Sequence, residues 1–352
     1  MPTAARTRSR LALAVIALVL LAGCGAKVSR SADAGGQVAD SRLVQQLANN
    51  VSDTGALVHL KALQEIADQH GGNRASPSPG YDASVDYVVG VLRKAGYDVS
   101  TPTYQASEDG GDSHGAGAGG ATLRNVIAQS RGGDPGHVVM IGAHLDSVQK
   151  GPGIVDDGSG VATLLEIANQ LGASTQTRNT VRFAFFGSEE EGSVGSSGYV
   201  TGLSDAERQK ILLYLNVDMV ASPNAGYFVQ GGQGDEKSAT GPEGSATIAR
   251  VLADQLKQTG VTAETIEFVG DDESPFVKAG IPSGGAENGD RKKKTQEQAK
   301  AWGGQAGEAY DRCYHSACDR LDSVNRVVLN HYLRALAGTL AHFATSDEKF
   351  SR

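Results

Sequence analysis

Cysteine, methionine and tryptophan are scarce in this chain: three, three and one among 352 residues. So few cysteines exclude a small scaffold held together by disulfides, and no second Cys or His pair stands at zinc-finger spacing from Cys313 and Cys318. Positive charge is short as well, with 32 Lys and Arg against 40 Asp and Glu and a net charge of -8. That balance excludes the basic footprint of a nucleic-acid binder, and the longest basic run, Arg291-Lys292-Lys293-Lys294, reads as a solvated loop. Long apolar runs are missing apart from Leu11 to Ala22, which falls short of the roughly 20 residues of a membrane-spanning helix. The remaining composition, 39% hydrophobic and 20% charged, suits a globular body with a large core, expected as one main domain and as a monomer.

Arg6, Arg8 and Arg10 precede the Leu11 to Ala22 segment, the pattern of an export signal. Leu21-Ala22-Gly23-Cys24 resembles a bacterial lipobox, so residues 1–23 are expected to be removed and Cys24 to carry a lipid anchor at the outer face of a membrane. An ordinary secretory signal containing a cysteine is the alternative. Residues 24–40 are small and polar and read as a flexible tether, leaving 41–352 as the folded domain. With Cys24 set aside, Cys313 and Cys318 form an even pair in a compartment that permits a disulfide.

Within the body, Leu57, Leu60, Leu63 and Ala67 recur at helical spacing, as do Tyr81, Val85, Val88 and Leu92, with Gly96 closing the second helix. Gly110 to Gly120 reads as an irregular loop. Short apolar runs then alternate with helix patterns. Strands are expected at His137–Ala143, Val181–Phe186, Ile211–Val217, Tyr227–Gln230, Thr265–Val269 and Ile281–Ser283. Helices are expected at Val161–Leu171, Thr247–Thr259 and Val327–Phe343. This alternation predicts a single α/β domain with a central mixed, mostly parallel sheet flanked by helices on both faces, in which ligands gather at the carboxyl ends of the strands.

Four clusters sit at or near such ends. His144-Leu145-Asp146 and Asp156-Asp157-Gly158-Ser159 could both reach one metal, with Asp146 able to fix the tautomer of His144. Glu189-Glu190-Glu191 follows a very apolar strand, where adjacent carboxylates are costly without a cation. Asp218 ends another apolar run and needs a partner too. Cys313-Tyr314-His315-Ser316-Ala317-Cys318 holds a Tyr-His pair inside a small ring. Taken singly, each has a plainer reading: a strand-end histidine and a turn, a solvated acidic turn, a stapled surface loop. Together they offer imidazole and carboxylate donors of the kind zinc takes in a hydrolase.

These motifs, with Gly151-Pro152-Gly153-Ile154, Asn216-Val217-Asp218-Met219 and Ala301-Trp302-Gly303-Gly304, resemble the secreted bacterial double-zinc aminopeptidases, in particular their leucine-preferring streptomycete branch. The resemblance runs from about Gly71 to the last helix and implies the zinc-peptidase fold, phosphorylase/hydrolase-like. It implies two zinc ions, one on His144 and Asp218, the other on Glu190 and His315, bridged by Asp156, with Asp146 orienting His144. Glu189 would be the general base and Tyr314 the donor to the oxyanion; the Asp156-Asp157 peptide would be cis. Substrates would be peptides with a free N-terminus and a large apolar first residue. No structural calcium is expected, because the calcium ligands of some relatives fall on Asn330 and Arg334. Asp271-Asp272-Glu273 is more acidic than the matching family segment and reads as a decorated loop, with stronger binding of a free α-amino group as the alternative. Related folds serve dipeptidases, carboxypeptidases, single-zinc glutaminyl cyclases and non-catalytic receptors, and the full ligand set separates this chain from the last two.

Overall fold

The structure, a computed structural model, describes residues 33–106, 120–231, 241–348 and 350. The expected signal segment, Cys24 and most of the glycine-rich loop lie outside them. Helices α1 (Asp33–Asn50), α2 (Asp53–Gln69) and α3 (Pro79–Lys94) lead into short strands β1 (Asp98–Ser100), β2 (Thr103–Gln105), β3 (Thr122–Arg124) and β4 (Val126–Gln129). Then come β5 (Asp134–His144), α4 (Gly158–Leu171), β6 (Asn179–Phe186), α5 (Val194–Gly202), α6 (Asp205–Lys210) and β7 (Ile211–Val217). The chain continues through β8 (Phe228–Gln230), α7 (Ser245–Gln258), β9 (Glu264–Ile266), α8 (Ser274–Lys278), β10 (Ser283–Glu287), α9 (Gln296–Trp302) and α10 (Arg326–Thr345).

Eight strands form one sheet in the order β1-β4-β6-β5-β7-β10-β8-β9, and β2 with β3 form a separate ribbon. The pairs β5·β6, β5·β7, β7·β10 and β8·β9 are parallel and the other three in the large sheet are antiparallel, so it is mixed and mostly parallel as expected. The central strands are buried on both faces, which is why they read as unbroken apolar runs. Their side chains alternate between two cores. Val139, Ile141, Phe183, Phe185, Leu213 and Leu215 join the main core, which also takes residues of α2, α3, α4, α7 and α10. Met140, Ala184, Phe186 and Tyr214 enter a second cluster with Tyr199 of α5 and Phe276 of α8.

The elements differ from expectation in several places; the strand expected at Ile281–Ser283, for one, is β10 at Ser283–Glu287 and shares only Ser283 with it. The stretch read as a tether is helical from Asp33 on, because Leu43, Val44 and Leu47 dock on the core and a nucleated helix gains one hydrogen bond per added residue. Strands β1 to β4 span only three or four residues each, too short for an alternating pattern to be read.

Candidate active site

Strands β6, β5 and β7 are parallel neighbours, so their carboxyl ends meet on one edge of the sheet. His144 is the last residue of β5, Asp218 directly follows β7, and Glu189 and Glu190 follow β6 after a two-residue turn. Asp156 comes from the loop between β5 and α4, and His315 from the ring closed by the Cys313–Cys318 disulfide. The five expected ligands converge. One oxygen of Asp156 lies 3.0 Å from His144 Nε2 and the other 3.2 Å from His315 Nε2. Asp218 Oδ1 stands 3.6 Å from His144 Nε2, and Glu190 Oε2 2.9 Å from His315 Nε2. Asp146 Oδ1 faces the other ring nitrogen of His144 at 3.6 Å and accepts the Glu189 backbone N–H at 3.2 Å, so it ties the β5 end to the β6 turn.

Backbone around the site is set tightly. The Asp156-Asp157 peptide is cis. Asp157 Oδ1 accepts the N–H of Gly160 at 2.8 Å, capping α4, and of Met219 at 3.0 Å, which leaves Asp157 committed to the backbone and Asp156 to the cleft. Ser188, Met219 and His315 adopt positive φ near 50°, a left-handed conformation that costs a non-glycine residue energy and that collects at functional sites. Gly151 is required by close approach: a Cβ there would stand 2.2 Å from the Ser316 carbonyl oxygen, so only glycine lets the β5–α4 loop lie against the disulfide ring.

Two positioning residues carry no sequence signal. Arg74 is fully buried and donates to the carbonyls of Pro152 at 3.0 Å, Gly153 at 2.6 Å and Leu145, all in the segment joining His144 to Asp156. Asp319, also buried, accepts the N–H groups of Val155 at 2.7 Å and Asp156 at 3.1 Å, which fastens the disulfide ring to the Asp156 loop. Its carboxyl is pushed up to about 8 by burial and by Asp156, with the two backbone donors opposing.

Electrostatically the cleft holds more acid than base. Burial, then Asp156, push Glu190 up to about 7 despite His315. Burial raises Glu189 well above the carboxylate range, with Asp272, Asp218 and Glu190 adding to it and His144 opposing. Burial acts upward on Asp156 too, but the two imidazoles outweigh it and hold that group below its usual value. The acidic segment read as a decorated loop is packed inside, with Asp272 1% and Glu273 0% exposed, and burial brings Asp272 to about 7. The sequence pattern missed this because α8 is too short to show a periodicity.

The residues fit zinc. Among the described residues, donor atoms of His144, Asp156 and Glu190 come together in one group and those of His144, Asp157 and Asp218 in a second, while His315 Nε2 stands beside Asp156 and Glu190 at 3.2 and 2.9 Å, an imidazole and carboxylate set of the kind zinc takes. Asp218 Oδ1 is buried without a hydrogen-bond donor, as expected of an atom that faces a cation.

A donor set of this composition, at the strand ends of an α/β sheet, is of the kind a zinc-dependent hydrolase carries, and the family match makes the class a zinc-dependent peptide hydrolase. The chain belongs to peptidase family M28, whose sequence profile matches residues 125–340. It is 35% identical to the probable lipoprotein aminopeptidase LpqL of Mycobacterium tuberculosis (strain ATCC 25618 / H37Rv), over 91% of this chain and 90% of that protein. It is 43% identical to leupeptin-inactivating enzyme 1 of Streptomyces exfoliatus, over 79% of this chain but 59% of that longer protein. Among solved structures, a zinc aminopeptidase from Bacillus subtilis superposes with a TM-score of 0.66 at 17% identity, over 85% of this chain and 96% of that one, a likeness of fold.

Proposed function

We propose that this protein removes the N-terminal residue, preferentially a large apolar one such as leucine, from peptides, with two zinc ions held by His144, Asp156, Glu190, Asp218 and His315. The observation that carries the reading is Asp156, whose two carboxylate oxygens face different imidazoles at 3.0 and 3.2 Å. His144 with Asp218 would hold one ion, and Glu190 with His315 the other. Zinc bound there makes a water acidic enough to ionise near neutral pH and polarises a carbonyl oxygen.

The remaining work falls to the chain. Glu189 stands outside the five ligands; Ser193 Oγ donates to its Oε1 at 3.3 Å and its own backbone N–H is held by Asp146. It takes the proton of the attacking water and delivers it to the leaving amine. The Tyr314 ring stacks on His315 with centroids 3.7 Å apart, so its phenol is carried with that ligand and donates to the carbonyl oxygen as negative charge develops there. The excess of carboxylates favours a free ammonium at the substrate's N-terminus. We also propose a lipid anchor at Cys24, on the strength of the lipobox-like segment and of the similarity to a probable lipoprotein.

Hydrolysis of leucyl, alanyl, glutamyl and N-blocked leucyl p-nitroanilides tests the activity. Leucyl substrate should be cut fastest and blocked substrate not at all, with activity lost on chelation and restored by zinc. Cleavage of the blocked compound, or full activity after chelation, would overturn the reading.

A further inference from the structure

The run Arg291-Lys294 does not behave as one solvated loop. Lys294 is buried at 2% exposure and its ammonium donates to the Gly303 carbonyl at 2.9 Å. Arg291 and Lys292 stay exposed, and the backbone fixes where they stand. Asp311 N–H donates to the Asp290 carbonyl at 2.8 Å and Tyr310 N–H to the Lys292 carbonyl at 3.0 Å, while Lys293 pairs with Ala309 in an antiparallel bridge. This strip leads straight into the disulfide ring.

The Arg291 side chain is held against the candidate site, and Lys292 follows it in the same strip. The Arg291 guanidinium carbon lies 5.5 Å from the centroid of the Tyr314 ring, and one of its N–H groups donates to the Tyr314 carbonyl at 3.1 Å. Lys292 is near enough to Glu287 to favour its ionised form, against the burial that brings Glu287 to about 7. Glu287 ends β10 beside the β7 end that carries Asp218, whose N–H donates to the Ala286 carbonyl at 3.1 Å. Among the described residues neither cation closes an ion pair, in a protein where acids outnumber bases. Arginine has five donors in a planar fork suited to a carboxylate, and among the described residues the Arg291 side chain uses them for one hydrogen bond, to the Tyr314 carbonyl.

The cleft therefore has an acidic interior and a cationic rim beside the Tyr314 ring. An interior of carboxylates attracts an ammonium and repels a carboxylate; the rim does the reverse. Tyr314 faces the scissile carbonyl in the proposed reaction, and the 5.5 Å between its ring centroid and the guanidinium carbon is of the order of one to two residues of chain at roughly 3.5 Å each, within reach of the far end of a short peptide. We infer that Arg291, with Lys292 adding to the field, binds the free C-terminal carboxylate of short peptides, dipeptides foremost, and makes them the favoured substrates. This rests on the aminopeptidase reading above.

The test compares kcat/KM for Leu-Gly, leucyl-glycinamide and leucyl p-nitroanilide, in the full-length protein and in Arg291→Ala and Arg291→Lys. The parent should prefer Leu-Gly over its amide by about five- to ten-fold at low salt, as an exposed charge-assisted contact allows, and the preference should shrink as salt rises. Arg291→Ala should bring the ratio close to one, and Arg291→Lys should keep part of it. A parent ratio near one overturns the inference, as does a ratio unmoved by Arg291→Ala. An equal fall on all three substrates also overturns it, since Arg291 would then act only by positioning Tyr314. If the parent cuts none of the three, the aminopeptidase reading fails and takes this inference with it.

Discussion

Glu189 and Glu190 are adjacent in the chain and differ in what they touch. Glu190 reaches an imidazole at 2.9 Å, whereas Glu189 is met by the Ser193 hydroxyl and lies outside the pairwise contacts that join the five ligands. A carboxylate beside the donor set but not in it can carry a proton without giving up a coordination position. Glu189→Gln should therefore keep the zinc content measured by elemental analysis, and lose turnover by about a thousand-fold, within the range of general acid-base effects. Turnover near the parent level would reassign the base; loss of metal would place Glu189 among the ligands. The candidate ligands were legible because carboxylate and imidazole at the end of an apolar strand demand a partner. Arg74 was not. Its acceptors lie 71 to 79 positions away, so nothing near it in sequence hints at a buried guanidinium binding carbonyls. Asp319 was hidden for the same reason, its two donors being 163 and 164 positions away.

Among elements, the central strands were readable because burial on both faces leaves no polar interruption, and the loops that carry the candidate site follow from where those strands stop. Helix α1 and the edge strands depend on tertiary docking that local pattern does not encode. Helices α2, α3 and α4 meet at His59, whose Nδ1 lies 2.7 Å from the Tyr87 hydroxyl. The Asn169 amide approaches Nε2 at 3.3 Å and can only donate there, so Nδ1 carries the proton of a neutral ring. Burial lowers the His59 pKa from 6.5 to about 4. Between those values the unfolded chain binds more protons than the folded one, so this group's contribution is complete above pH 6.5 and is lost as pH falls toward about 4. The loss is on the order of 3 kcal/mol at 1.36 kcal/mol per pH unit. In urea unfolding of the parent and of His59→Gln, the stability gap should be widest near neutral pH and narrow by pH 4.5; a gap independent of pH would show that His59 is not held neutral.

For the whole molecule, the proposed lipid at Cys24 would limit how far from a membrane the start of α1 can stand. Asp33 stands nine positions after Cys24, and a fully extended chain gains at most about 3.5 Å per residue, so a lipid at Cys24 would hold the start of α1 within roughly 30 Å of the bilayer. One acyl chain gives only marginal attachment, whereas a diacylglyceryl cysteine contributes two and binds stably. No helix among the described residues is long and apolar enough to cross a membrane, so retention there would have to come from the lipid or from another part of the chain. Cys24→Ala discriminates between these. With the anchor as proposed, the parent partitions into the detergent phase of a Triton X-114 separation and the variant into the aqueous phase, with leucyl p-nitroanilide activity following the protein in each case. Equal partitioning of the two proteins would remove Cys24 as the point of attachment.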